Sequence, residues 1–243
     1  MRHFAEQPAL FDETPAPPGA PSYLADHRAR LRQRFVEGGA DAMPDYELLE
    51  LLLFRIVPRR DVKPLARALI DRFGDLGAVL AAGPGELSAT PGIGPSIAQE
   101  IAITNAVTRR TLRSRALHRP VVSSWQALID YCQATLAHAP TERFRILFLD
   151  TKNTLIADEE QSRGTVDHVP VYPREVVKRA LELNAKSLIL VHNHPSGDPT
   201  PSDADIALTR AIESAARVLD LALHDHVIIG RGRTLSFRSE GYL

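Results

Sequence analysis

The chain has 243 residues, 29 Lys and Arg against 30 Asp and Glu, a net charge of −1 and 44% hydrophobic residues, enough apolar material for the core of one large or two modest domains. Its single Cys excludes a disulfide framework and a thiolate zinc cluster. No apolar run approaches the roughly 18 residues of a bilayer span, and Glu6, Asp12 and Glu13 stand where a secretory signal needs an apolar stretch, so a soluble, cytoplasmic protein without a membrane partner is expected.

Charge is spread unevenly. Residues 1–20 carry one cation and three acids, residues 21–120 carry 15 cations and 11 acids, and residues 121–243 carry 13 and 16. A basic half beside an acidic half directs any nucleic-acid contact to the first. Only Lys63, Lys152, Lys178 and Lys186 are lysines; arginine suits phosphate contact, though GC-rich coding produces the same bias.

Residues 1–20, with four prolines and little periodicity, read as a disordered tail. Residues 21–113 read as a helical domain. HRARLRQRFVEGG is a helix stopped by Gly38 and Gly39, PDYELLELLLFRI starts at Pro44, and VKPLARALIDRFG ends at Gly74. LGAVLAA and GELSAT follow, then the turn PGIG and PSIAQEIAITNAVTRR with Pro95 in its first turn. Gly92 and Gly94 allow a tight turn with free backbone N–H groups while Ile93 buries between the flanking helices, and the second helix offers its N-terminus to a phosphate. Such contact would ignore base sequence and weaken with salt. The hairpin itself holds no Lys or Arg, so a structural turn or a protein-docking module explains it as well. Residues 114–120 read as a basic linker ended by Pro120.

Residues 121–243 mix helices and strands, the pattern of an α/β domain. SSWQALIDYCQATLAHA is helical, RFRILFLD and TLIADEEQ form a hairpin around Asn153, and VDHVPVY is extended. PREVVKRALELNA is a helix from Pro173, KSLILVHNH a buried strand, SDADIALTRAIESAARVLD a helix, and LALHDHVIIG and TLSFRS closing strands.

The stretch VHNHPSGDPTPSDAD carries the chemistry. His192 and His194 are two apart at a strand end, so alternation turns both imidazoles to one side; Ser202 follows, and Asp205 three residues later. Two imidazoles and a carboxylate are the three protein ligands that a catalytic zinc keeps beside an open fourth position. Ser202-x-x-Asp205 also has the form of a helix capping box, and one geometry serves both purposes.

H-x-H-x7-S-x-x-D with an upstream Glu resembles the signature of JAMM (MPN+) metalloproteases. HNHPSGDPTPS, with GTVDHVPVYPREVVKRAL before it and DHVIIG after it, is similar to the bacterial RadC branch, over roughly residues 22–243. The resemblance implies a helical helix-hairpin-helix domain (DYELLELLLFRIVPRRDVKPLARALI and PGIG) followed by a JAB/MPN-type mixed-sheet, metalloprotease-like domain of cytidine deaminase-like kind. It further implies zinc on His192, His194 and Asp205, a water as fourth ligand, Ser202 beside the oxyanion, and hydrolysis of a peptide or isopeptide bond in an unknown protein substrate. The family takes its general base from a Glu at a strand start. Glu142, leading into RFRILFLD, matches that order, whereas Glu175 has a sufficient role in a helix first turn. Asp198 reads as a turn residue, Asp225 or His226 as a candidate to orient a ligand histidine, His168 and His224 as ordinary polar histidines, and Cys132 as core. The rival readings are a DNA-binding repair or processing factor whose zinc site is structural or vestigial, and a metal-dependent nuclease, for which carboxylate-rich Mg²⁺ sites are the usual form. A zinc deaminase needs H-x-E with P-C-x-x-C, which one Cys cannot supply.

Overall fold

Pro44, extended at φ −69 and ψ 154, delivers the chain into a helix whose first turn holds Asp45 and Glu47, acids that suit its positive end. The structure, a computed structural model, describes residues 22–117, 120–163 and 171–243. The expected tail at 1–20, His168 and most of the extended segment at 166–172 lie outside the described residues.

Six helices form the N-terminal region: α1 (Ser22–Gly38), α2 (Asp45–Ile56), α3 (Lys63–Phe73), α4 (Leu76–Ala81), α5 (Pro84–Ser88) and α6 (Pro95–Ala116), with a 3₁₀ turn at Ala40–Ala42. Leu49, Leu53, Leu69, Val79, Leu87 and Ile101 are fully buried at its centre, each stabilising by roughly 1.5–3 kcal/mol relative to exposure. Arg28 on α1 donates to the carbonyls of Phe54 (3.3 Å), Val57 (2.6 Å) and Arg60 (2.7 Å) while its guanidinium lies over the Phe54 ring. It thereby ties α1 to the carbonyl end of α2.

The second region carries α7 (Val121–Leu136), β1 (Arg143–Leu149), β2 (Leu155–Arg163), α8 (Pro173–Glu182), β3 (Ser187–Asn193), α9 (Asp203–Arg217), β4 (Ala222–Ile229) and β5 (Thr234–Ser236). The sheet order is β2-β1-β3-β4-β5; β3 and β4 are parallel and every other neighbouring pair is antiparallel. Strand alternation divides the apolar residues between two layers. Leu147, Leu149, Ile189, Val191, Val227 and Ile229 pack against α7. Phe144, Ile146, Phe148, Leu188 and Leu190 pack against α8 and α9. A helical region followed by a helix-covered mixed sheet is the expected architecture.

Two local expectations differ. Residues 114–116, read as linker, continue α6, and Ala116 is 1% exposed in the α7 core; a basic, weakly apolar segment is held helical because its few apolar residues pack on the next region. The strand expected over TLSFRS stops at Ser236. Asp225 ends it by accepting from the Ser236 hydroxyl (2.5 Å) and the Arg238 N–H (3.0 Å), turning the chain inward at buried Phe237.

Candidate metal centre

His192 shares its parity with Leu188 and Leu190 and so faces the α8/α9 layer, fully buried, stacked on Phe144 of β1. His194 follows the strand end and keeps its backbone in register by donating from its N–H to the Ile229 carbonyl (3.1 Å). The loop between β3 and α9 then reverses. Gly197, at φ 89, brings its carbonyl against the turn after β4, where the Arg231 N–H donates to it (3.1 Å). A Cβ on Gly230 would stand 2.3 Å from that carbonyl oxygen, so only glycine permits the approach. The loop ends at Ser202, the N-cap of α9, whose hydroxyl accepts from the Asp205 N–H while the Asp205 carboxylate accepts from the Ser202 N–H.

These elements bring three ligand atoms together. His192 Nε2 and His194 Nε2 are 3.0 Å apart, His192 Nε2 lies 3.3 Å from Asp205 Oδ1, and His194 Nε2 lies 3.5 Å from Asp205 Oδ2. Among the described residues, this is the group of His, Cys, Asp and Glu placed to hold a metal. His192 closes the floor, and the side chains of His194 and Asp205 are 18% and 13% exposed, so the cluster opens to solvent on one side.

The hydrogen bonds behind the cluster set which ring nitrogens carry protons. His194 Nδ1 faces the Asp198 carbonyl (2.8 Å) and must donate to it, leaving an Nε2 lone pair. Thr209 donates its hydroxyl to the Asp205 carbonyl (2.6 Å), so it accepts from His226 Nδ1 (2.6 Å). His226 Nε2 is then an acceptor, and His192 Nδ1 donates to it (2.8 Å). His192 Nε2 is therefore also a lone pair. Two lone pairs and a carboxylate at 3.0–3.5 Å repel one another unless a cation stands between them. Zinc bonds of about 2.0–2.1 Å in tetrahedral array place ligand atoms about 3.4 Å apart, and the N, N, O donor set suits zinc better than magnesium. The residues fit the ion.

Without a metal, a proton takes that place. Burial pushes His192 down to about 4 and keeps it neutral, with the Asp205 charge opposing. Hydrogen bonding to Asp205 raises His194, against its partial burial. Burial works against ionisation of Asp205, but the hydrogen bond from His194, the adjacent His192 and the Ser202 hydroxyl together hold its carboxyl below the usual range. Burial alone would keep His226 neutral, and its pKa lies well below the ordinary value.

The structure places the other expected residues unevenly. The Ser202 hydroxyl donates to Asp205 Oδ2 at 2.6 Å, so it orients a ligand in this state and would have to turn to serve an oxyanion. Glu142 immediately precedes β1. The ladder pairs Phe144, two residues after Glu142, with His192, two residues before His194. The negative charge of Glu142 is one cause of the raised His194 pKa. Glu175, 51% exposed, stays in the first turn of α8 and pairs with Arg174 at 3.2 Å. Asp198 is a turn residue, accepting from Thr200 N–H and hydroxyl, and it is its carbonyl that serves the site. Asp225 fixes the turn that follows β5, whereas His226 touches His192. His224 lies 2.9 Å from the Asn153 side chain. Cys132 is core, its thiol pushed up by burial.

Three contributors escaped sequence reasoning. Asn193, buried between the histidines, points to the opposite face, accepts from the Arg143 N–H (2.9 Å) and donates to the Thr141 carbonyl (3.2 Å), bracketing Glu142. Thr209 lies one helical turn beyond Asp205, a spacing that is a faint signal at best. Gly230 shows itself only through its contact with Gly197. In the helical region, Gly92 has φ 85 and a Cβ there would meet Leu65 Cδ2 at 2.6 Å. Gly94 is the extended N-cap of α6 with open space around it, and Ile93 is 4% exposed.

Comparison with known proteins bears on the same stretch. The profile of the RadC-like JAB domain matches residues 122–242. A UPF0758 protein of Rhodobacter capsulatus is 68% identical over 213 residues, covering 88% of this chain and all of the relative. A UPF0758 protein of Ruegeria pomeroyi is 62% identical over 223 residues, covering 92% of this chain and all of the relative.

Proposed function

The chain belongs to the RadC family, carrying its JAB domain at residues 122–242, and on that premise we propose that it is a zinc-dependent hydrolase of peptide or isopeptide bonds of the JAMM type. JAB/MPN domains are usually hydrolytic. The observation that carries the reading is the convergence of His192 Nε2, His194 Nε2 and Asp205 on one point, with hydrogen bonds behind both rings that free their Nε2 lone pairs.

Zinc held there supplies a Lewis acid that polarises a carbonyl and acidifies water toward neutrality. Glu142, near enough for its charge to act on His194, accepts the proton of the attacking water and returns it to the leaving amine. The Ser202 hydroxyl, released from Asp205 Oδ2, donates to the oxygen on which negative charge develops. The Asp198 carbonyl and the His226–Thr209 pair hold the two imidazoles so that neither reorganises during the reaction. Purified protein assayed for metal content and then incubated with a peptide library, with products read by mass spectrometry, tests this. One zinc per chain with cleavage that Glu142→Gln removes supports it; a metal-replete chain without zinc ends it.

A second reading concerns the helical region. Arg110, Arg113 and Arg115 on α6 are exposed, Arg109 is half-exposed, and none forms a salt bridge among the described residues. Together with the α5–α6 turn they support non-sequence-specific DNA contact by a helix-hairpin-helix element, in which case the zinc site is structural or vestigial. A cytidine deaminase-like kinship of the sheet belongs to the same family-level inference. Because Gly92 packs on Leu65, replacing it tests folding; Arg110→Ala with Arg113→Ala tests contact. Salt-sensitive binding of duplex DNA that this pair weakens supports the reading, and equal binding by the variant rejects it.

A further inference from the structure

We propose that Thr209 and His226 are positioning residues forming a one-way hydrogen-bond relay that fixes the tautomer of His192 by reference to the backbone of Asp205. The inference rests on the zinc reading above, since it concerns how one ligand is prepared for the ion.

The relay has a fixed end. The Asp205 carbonyl only accepts, so the Thr209 hydroxyl, 2.6 Å away, donates to it. That commitment leaves Thr209 Oγ1 as an acceptor toward His226 Nδ1 at 2.6 Å. Thr209 is β-branched and 1% exposed on α9, and bonding to the carbonyl four residues back holds its hydroxyl in one rotamer. His226 lacks freedom to answer by rotating: its ring is wedged against Phe144 (centroids 5.6 Å) and Phe237 (4.5 Å). The one variable left is which nitrogen bears the proton. With Nδ1 donating to Thr209, Nε2 accepts from His192 Nδ1 at 2.8 Å, and His192 presents a bare Nε2 beside Asp205.

The direction of the relay follows from a hydroxyl at position 209. A methyl in its place would leave the His226 Nδ1–H buried without an acceptor, and unpaired buried donors are costly. The proton would move to Nε2, donate to His192 Nδ1, and force the His192 proton onto the nitrogen that faces Asp205. The two Thr209 bonds would be lost, the His192–His226 bond would reverse and the zinc ligand would be blocked. Asp205 therefore acts twice: its carboxylate completes the ligand set, and its carbonyl sets the tautomer of another ligand through two intermediaries. The sequence distances of 4, 17 and 34 residues along this path close only when α9 lies on β3 and β4.

The test uses the full-length chain, ¹⁵N-labelled and zinc-free, and long-range ¹H–¹⁵N spectra of the imidazoles. The wild type should show His192 and His226 both protonated at Nδ1. Thr209→Val should reverse both to Nε2 and raise the zinc Kd, measured by chelator competition with zinc alone, by about 10–100-fold; Thr209→Ser should restore the wild-type tautomers and a Kd within about threefold. Wild-type His226 protonated at Nε2 overturns the relay even if Thr209→Val fails to fold. Thr209→Val with unchanged tautomers and unchanged Kd overturns it as well. Predicted tautomers and their reversal in a chain that binds no zinc would uphold the relay and reject the hydrolase reading.

Discussion

The helical region and the JAB domain both bury polar groups, and they close them differently. In the helical region the buried carboxylates meet nitrogen-bearing side chains from α1. Glu50, fully buried, lies 2.8 Å from His27, and Glu47 lies 2.7 Å from Arg34. Each contact fastens α1 to α2, the work that Arg28 also does at the end of α2, and Glu47 also accepts from the Tyr46 hydroxyl (3.2 Å). In the JAB domain the buried polar groups His192, His226, Thr209 and Asn193 lie in continuous networks. Asn193 holds the backbone on either side of Glu142, and the series Thr209, His226, His192 runs from the Asp205 carbonyl to a lone pair facing one half-open point. Buried carboxylates paired in place serve the packing of helices, whereas buried polarity directed at a point suits a ligand.

The comparison breaks most visibly at the ligands. His192→Ala or Asp205→Ala should reduce zinc from one per chain to none, with amide hydrogen exchange of residues 22–113 unchanged. Loss of protection there would mean that the two regions depend on each other for stability. Glu142→Gln should keep zinc and lower hydrolysis by about 10²–10⁴-fold, while Glu175→Gln should change little; steady-state rates with an identified substrate, beside zinc content, decide between the two acids.

Acid should separate the regions in the metal-free protein. His192 has a folded pKa of about 4, and burial depresses His226 as well, so below pH 6.5 the unfolded chain takes up protons that the folded one refuses. The stability contributed by neutral His192 is complete above pH 6.5 and declines as pH falls toward 4, by roughly 3 kcal/mol at the limit. His194, raised by Asp205, adds stability in the same acid range and offsets part of this. Chemical unfolding of the zinc-free chain at pH 7 and pH 4.5, followed by hydrogen exchange, should show the JAB domain weakening. The smallest expected effect lies on the other side. Arg28→Ala should destabilise the helical region by about 1–2 kcal/mol through lost hydrogen bonds and leave the zinc Kd unchanged, read by thermal unfolding and chelator competition.

The cluster of His192, His194 and Asp205 was legible in the sequence because metal coordination asks for fixed residue types, and their spacing reflects local geometry: a strand period of two, then a helix start. Most elements were legible for the same reason, since Pro44, Gly74, Pro95 and Pro173 punctuate periodic runs. What escaped depends on tertiary register. Asn193 reaches Thr141 across 52 residues and His226 reaches His192 across 34, and no local pattern encodes either contact. The turn at Gly92 was legible as a turn, but its reason, Leu65, was not. The helix through Ala116 was hidden because its stabilising surface belongs to the next domain.

Anomalous diffraction at the zinc edge from crystals of the purified full-length protein tests the central claim most directly. One peak within bonding distance of His192 Nε2, His194 Nε2 and an Asp205 carboxylate oxygen is predicted. A zinc-replete crystal with no peak there, or with its only peak elsewhere, would contradict the account.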